Sequence, residues 1–213
     1  MKRFFVKKYY PLISLTGAFL DSRIKKHMEK QTQAQLKERL KLLLDTQALR
    51  RGEFILSSGK KSGYYLDGRV ITLTPEGVYL VARLLLMKAK AESIDAIGGP
   101  TLGADPIVGA VAAVSHLEGV PLRAFIVRKA AKEHGMQRQI EGPDLSGARN
   151  VLLVDDVATT GKALIEAKAA LDQAGIAVSR AMVIVDRNEG AKENLARVGL
   201  ALESIFTIRD FGL

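Results

Sequence analysis

From residue 94 onward, short apolar segments alternate with helical segments, and this alternation limits the possible folds more than any other feature. The predicted strands cover 94–99, 122–127, 151–154, 180–186 and 204–208. Their apolar runs are unbroken, which indicates strands buried on both faces, as in a parallel sheet covered by helices. We therefore predict an α/β fold with a doubly wound, mainly parallel sheet.

The region before this alternation has a different pattern. A helix is expected over 32–50, because four leucines share one face, and "GEFILSSGKKSGYYLDGR" reads as a hairpin. A second helix is expected to open at Thr74-Pro75 and to run to about Lys90. We predict one domain over 31–213, with a small N-terminal hood over about 31–72 and a core over about 73–213.

The positive charge of the chain lies mostly in its first residues. The net charge is +9, of which 1–30 carry +6. We expect 1–30 to be a basic, disordered extension and the protein to have no nucleic-acid partner. A signal peptide, an organelle-targeting peptide and a natural start at Met28 are the alternatives. The absence of cysteine is compatible with the reducing cytosol, where we place the protein, and no apolar run is long enough to predict a membrane span.

The stretch "VLLVDDVATTGKAL" (151–164) carries the strongest functional signal. Asp155 and Asp156 stand together at the end of a buried strand, where ligands bind in open parallel sheets. The turn that follows leads to the N-terminus of a helix, whose free amides favour a phosphate. Carboxylates that accept hydroxyls beside amides that hold phosphate predict a phosphorylated sugar, the alternative being a solvated acidic turn.

Three other phosphate-related motifs do not fit the same stretch. A Walker loop needs glycine where Asp156 stands and a hydroxyl residue where Ala163 stands. A phospho-receiver domain would begin with this strand, whereas here the strand comes late in the chain. "GGPTLG" does not supply the G-x-G-x-x-G of a dinucleotide site.

The stretch resembles the phosphoribosyl-diphosphate (PRPP) signature of the type I phosphoribosyltransferases. "FILSSGKKSGYYLD", "RKAAKEHG" and "VDRNEG" resemble segments of the orotate phosphoribosyltransferases, and the likeness runs from about residue 35 to the C-terminus. The resemblance implies transfer of 5-phosphoribosyl from PRPP to orotate, with Mg²⁺ carried on the substrate's phosphates and no preformed protein metal site. It also implies a homodimer with shared active sites. The PRPP-binding residues implied are Arg128, Lys129, Lys132, His134, Asp155, Asp156, Val157, Ala158, Thr159, Thr160, Gly161, Lys162 and Ala163.

The segment "RKAAKEHG" concentrates positive charge in one polar loop. Cations aimed at a departing pyrophosphate stabilise the transition state, and a mobile lid excludes water. We expect Lys132 to be catalytic together with Asp155 and Asp156; a solvated basic loop is the alternative.

Arg187 is the candidate for selecting the base. A guanidinium grips a carboxylate with two parallel hydrogen bonds, and orotate has a carboxylate that uracil lacks. The alternative is a surface ion pair with Asp186 or Glu189. Thr159, by resemblance, also touches the base.

Some positions near the predicted site depart from relatives or keep two interpretations. Leu102 and Gly103 stand where some relatives carry an aromatic-lysine pair, and Ser57 replaces a lysine that Lys60 or Lys61 could substitute. The small residues of 98–110 could hold pyrophosphate or serve packing, and the tyrosines of 64–65 could line the base pocket or stabilise the strand. A phosphoribosyltransferase for another base and a non-catalytic PRPP sensor are the competing functions.

Overall fold

The computed structural model describes residues 31–55, 61–129 and 139–213. The predictions for 1–30, Ser57, Lys60, Lys132 and His134 lie outside these ranges. Thr32–Leu213 forms one compact unit. Its division into a hood and a core stays a prediction.

The N-terminal part of this unit contains helices and a hairpin. The elements are α1 (Gln33–Leu43), a π-helical turn (Leu44–Ala48), β1 (Leu49–Ile55), β2 (Lys61–Leu66), α2 (Arg69–Thr72) and α3 (Pro75–Ala91). Thr32 and Gln35 form a capping box that starts α1, and the predicted leucine face of this helix is buried. The helix expected over 32–50 is too long, because the chain already enters β1 at Leu49. There the backbone exchanges helical hydrogen bonds for antiparallel pairing with Leu66.

The helix predicted at Thr74-Pro75 is confirmed. The Thr74 hydroxyl accepts a hydrogen bond from the Gly77 amide at 3.2 Å, and Pro75 occupies the first turn, where an amide donor is not needed. Together they start α3 at the predicted residue.

A six-stranded sheet forms the centre of the unit. Its remaining elements are β3 (Ala96–Pro100), α4 (Asp105–Leu117), β4 (Arg123–Val127), β5 (Ile140–Glu141), β6 (Val151–Ala158), α5 (Lys162–Gln173), β7 (Arg180–Asp186), α6 (Ala191–Arg197), β8 (Ala201–Thr207) and a 3₁₀ turn (Ile208–Phe211). The strand order is β5-β4-β3-β6-β7-β8, with only β5 antiparallel to its neighbour. The predicted mainly parallel α/β fold is therefore confirmed. The two-residue edge strand β5 lies where the sequence predicted only a loop.

The central strand β6 is buried on both faces, as its apolar run predicted. One face of the sheet packs against a cluster that includes Leu164, Leu171 and Leu195 from the two following helices. Such burial of apolar side chains contributes about 25 cal/mol per Å² removed from water.

The strand order reverses direction between β3 and β6. The chain moves from β3 to β4 on one side and from β6 to β7 and β8 on the other, which makes this edge a topological switch point. Pairing of β6 with β3 ends at Leu153, whereas pairing with β7 continues to Ala158. Asp155 and Asp156 therefore lie within β6, beyond its last pair with β3, and not after the strand as the sequence predicted.

No helix within the described ranges is long and apolar enough to cross a lipid bilayer.

Candidate active site

The two neighbouring aspartates are held in place by their own strand. The Asp155 carboxylate accepts a hydrogen bond from the Asp156 amide at 2.9 Å, and the Asp156 carboxylate accepts one from the Val157 amide at 2.8 Å. The carboxylates thus have fixed directions before any ligand arrives.

The electrostatic environment keeps a proton on this pair. Burial, followed by the charge of Asp156, raises the pKa of Asp155 to about 8. Burial also raises the pKa of Asp156, although the positive charge of Arg69 opposes that rise. Ligand hydroxyls that donate hydrogen bonds, or a cation, would favour the ionised form of both groups.

Two glycines let the backbone approach the aspartates closely. A Cβ atom at Gly68 would lie 2.9 Å from Oδ2 of Asp156, and one at Gly103 would overlap the carboxylates of both aspartates. Any side chain at either position would displace the carboxylates or fill the space above them. Glycine at position 103 is therefore a condition of this geometry.

A cavity of about 330 Å³ opens above the aspartates. Its charged lining residues are three acids and three cations, namely Asp67, Asp155, Asp156, Arg69, Lys129 and Arg187. Its other lining residues are Tyr65, Leu66, Gly68, Leu102, Gly103, Val157 and Thr159. The structure thus brings six of the predicted site residues, Lys129, Asp155, Asp156, Val157, Thr159 and Arg187, to a single cavity.

A second hollow of about 180 Å³ adjoins the first and shares Asp155, Val157 and Thr159 with it. It is lined by the turn through Ala158, Thr160 and Gly161 and by the first residues of α5. Free amides at the start of a helix and its dipole favour an anion there.

Gly161 gives the second hollow its shape. Its φ is +78°, and a Cβ atom there would lie 3.0 Å from Leu195 of α6. The side chain of Lys162 is 81% exposed and makes only a 3.7 Å ion pair with Glu166. That side chain is therefore free to move toward a ligand.

Arg187 is buried, with 8% of its surface exposed. Its Nε donates to Glu189 at 2.9 Å and to the Tyr64 hydroxyl at 3.1 Å. Its Nη2 is buried and has no hydrogen-bond partner among the described residues. The ion pair with Glu189 that was the alternative interpretation exists, but Arg187 is buried in it, and Asp186 instead accepts from the Asn188 amide.

The two cations of the predicted lid that lie within the described residues have different surroundings. Lys129 is exposed and lines the cavity, whereas Arg128 makes a 3.4 Å ion pair with Glu141. Lys132 and His134 are outside the described residues.

Sequence reasoning missed the contribution of the segment between β2 and α2. Asp67 forms a two-point ion pair with Arg69, at 3.0 and 3.1 Å, and both residues line the cavity. The signal was the Asp-Gly turn directly after an apolar strand, which the hairpin prediction treated only as the end of an element.

Comparisons with known proteins identify the family of the chain. Residues 71–211 match the family model described as the phosphoribosyl transferase domain. An orotate phosphoribosyltransferase from Synechocystis sp. is 44% identical over 177 residues, covering 83% of this chain and 89% of that protein. One from Corynebacterium glutamicum is 45% identical over 180 residues, covering 84% and 96%.

A solved structure gives the same result at the level of the fold. The orotate phosphoribosyltransferase of Mycobacterium tuberculosis H37Rv, solved in complex with PRPP, superposes with a TM-score of 0.70 at 34% identity. The match covers 84% of this chain and 99% of that one. The chain therefore belongs to the phosphoribosyl transferase family and, within it, to the orotate phosphoribosyltransferases.

Proposed function

We propose that the protein transfers the 5-phosphoribosyl group of PRPP to orotate, forming orotidine 5′-phosphate and pyrophosphate. The observation that carries the proposal is that two hollows meet at Asp155. One hollow suits a phosphate, and the other contains a buried guanidinium whose Nη2 has no partner among the described residues. PRPP and orotate together offer a phosphate, a diol and a carboxylate.

In this proposal the ribose lies over Asp155 and Asp156. Its two hydroxyls donate to the carboxylates, whose directions are already set by hydrogen bonds from the backbone. The 5′-phosphate occupies the hollow formed by 157–164, where amides and the helix dipole stabilise its charge. As the bond to pyrophosphate loosens, positive charge develops on the ribose ring, and ionised aspartates offset it.

The base is held by its carboxylate. Arg187 binds this group with two hydrogen bonds, and Thr159 of the same cavity contacts the ring. The orotate nitrogen then forms a bond to C1 of the ribose while the C1–O bond to pyrophosphate breaks, and the proton of that nitrogen passes to an oxygen of the departing pyrophosphate. No covalent intermediate is needed, which suits a chain without cysteine.

Pyrophosphate leaves toward the cationic loop. We assign its stabilisation to Arg128, Lys129, Lys132 and His134, of which Lys129 lines the described cavity. Lys132 is the catalytic cation in this proposal. Arg128 would exchange its ion pair with Glu141 for the phosphates.

Magnesium enters as part of the substrate in this proposal. Within the described ranges no three His, Cys, Asp or Glu side chains form a group that could hold a metal ion. Mg²⁺ commonly binds through substrate phosphates and one or two carboxylates. Asp155 and Asp156 are the carboxylates that could meet an ion carried by PRPP.

Two further features belong to the proposal. The enzyme acts as a homodimer, with the loop of one subunit completing the site of its partner, and it acts in the cytoplasm. Sedimentation at working concentration, together with activity recovered on mixing two inactive single-site variants, tests the shared site.

The direct test is consumption of orotate by the purified protein with PRPP and Mg²⁺. Arg187→Ala should raise the KM for orotate by at least tenfold and leave the KM for PRPP nearly unchanged. Lys132→Ala should lower kcat much more than it weakens base binding.

The same assay separates the competing functions. Faster turnover with uracil or a purine than with orotate would make this a transferase for another base. Binding of PRPP without turnover on any base, together with salt-dependent DNA binding, would favour the sensor.

A further inference from the structure

The Arg187 guanidinium is held by two side chains, those of Tyr64 and Glu189. Its Nε donates to both the Tyr64 hydroxyl and Glu189, while its Cζ lies 4.7 Å from the centre of the Tyr64 ring. Hydrogen bonds to Nε restrain rotation within the guanidinium plane, and the ring restrains tilting out of it. The orientation of Arg187 is therefore set before a ligand binds.

This arrangement decides which edge of the guanidinium remains for a ligand. Nε is occupied by protein groups, and Nη2 has no partner among the described residues. With Nε engaged, a carboxylate in the cavity would bind at the edge that contains Nη2. Small rotations of this edge would break one of two parallel hydrogen bonds.

Tyr64 reaches this position because of its place in the hairpin. In β2 the less exposed side chains alternate, so that Ser62, Tyr64 and Leu66 share one face. The Tyr64 backbone pairs with Arg51 in β1, and this pairing fixes where its ring stands. The contact joins residues 123 positions apart, so it links the hairpin to the loop after β7.

We propose that Tyr64 is a positioning residue that sets selectivity for carboxylated pyrimidines by orienting Arg187, with Glu189 as the second anchor. The inference rests on the proposed function, because it takes the orotate carboxylate as the ligand of Arg187. Loss of the Tyr64 hydroxyl removes one of the two hydrogen bonds that hold Nε of Arg187, so the guanidinium can rotate more freely. Binding of ligands that carry the carboxylate should then weaken, whereas binding of ligands without it should not.

The test compares two nucleotides that differ only in this group. Orotidine 5′-phosphate carries the carboxylate, and uridine 5′-phosphate does not. For Tyr64→Phe, calorimetry should give about a tenfold weaker Kd for orotidine 5′-phosphate. The Kd for uridine 5′-phosphate should stay within about twofold of wild type, as should the KM for PRPP.

The chain offers a matched control in Tyr79. Its hydroxyl accepts from Arg83 at 2.9 Å, and the Arg83 Cζ lies 5.8 Å from its ring centre, in helix α3 and apart from the residues that line the cavity. Tyr79→Phe therefore removes the same kind of contact, and it should leave the selectivity between the two nucleotides unchanged.

Each other outcome overturns the inference in a recognisable way. Equal weakening of both nucleotides in Tyr64→Phe would mean that Tyr64 only shapes the cavity, and unchanged binding of both would mean that Glu189 alone orients Arg187. Equal binding of both nucleotides by the wild-type protein would mean that the carboxylate contributes nothing to affinity, and it would contradict the proposed role of Arg187. Thermal unfolding of each variant shows whether the fold is intact.

Discussion

Replacing Asp155 with asparagine should make the ligand-free protein more stable while it abolishes most of the activity. Burial and Asp156 raise the pKa of Asp155 from 3.8 to about 8, so the folded protein holds a proton that the unfolded chain has lost at neutral pH. At about 1.36 kcal/mol per pH unit, the interval from that ordinary pKa to pH 7 corresponds to roughly 4 kcal/mol. Asparagine keeps the oxygen that accepts from the Asp156 amide, and it carries no charge.

The stabilisation of the Asp155→Asn variant should be smaller than this upper value, because Asp156 shares the proton and the site can relax. We expect about 2 kcal/mol at pH 7, which raises Tm by roughly 4–8 °C for a domain of this size. The direction with pH follows from the raised pKa. Below pH 3.8 the Asp155 carboxyl costs the wild-type protein no stability. As the pH rises from there through about 8, the free energy of unfolding of the wild type falls, because the folded state keeps a proton that the unfolded chain releases.

The assay is thermal unfolding of both proteins, without ligands, from pH 4.5 to 8.5. The difference in Tm should widen as the pH rises. Turnover should fall by about 10 to 100-fold, because hydrogen bonds to a charged acceptor contribute roughly 1.5–3 kcal/mol. A Tm difference that stays constant across the pH range, or an asparagine variant less stable at every pH, would refute the reasoning.

Three further predictions concern the same site and the N-terminus. In the proposed complex the PRPP hydroxyls donate to ionised carboxylates, so the PRPP affinity measured by calorimetry should increase as the pH rises from 6.5 to 8.5; a flat profile would contradict the raised pKa of Asp155. Gly103→Ala, whose Cβ would overlap both carboxylates, should reduce kcat/KM for PRPP at least tenfold in initial-rate assays, whereas alanine at the unconfined Gly109 should not. A protein starting at Met28 should retain full orotate turnover; a loss would assign residues before Met28 to the active enzyme.

Much of the fold could be predicted because hydrophobic pattern and turn chemistry are local properties. Unbroken apolar runs identified the buried parallel strands, and Thr74-Pro75 identified the start of α3. The boundaries failed where long-range pairing decided them. Leu49 enters β1 because Leu66 pairs with it, and β6 continues through its aspartates because β7 supplies partners.

The candidate site also has a part that the sequence predicted and a part that it did not. Its chemical groups could be predicted from "VLLVDDVATTGKAL" and from Arg187, because two carboxylates, a turn of small residues and a guanidinium each bind only a few kinds of ligand group. The Asp-Gly turn marked the segment around Asp67 and Arg69, but its role at the site was missed, because the approach of these residues to Asp156 depends on how the hairpin meets the sheet.

By itself, the sequence determined the family and the parallel α/β architecture, and it predicted the kinds of groups that we propose for binding PRPP and orotate. Only the tertiary structure decided that Arg187 is buried against Tyr64 and Glu189, and that Gly103 approaches the aspartates too closely to carry a side chain. The physical reason is that charge and hydrogen-bonding capacity belong to single residues. Burial, orientation and pKa depend on neighbours that the fold brings from distant parts of the chain.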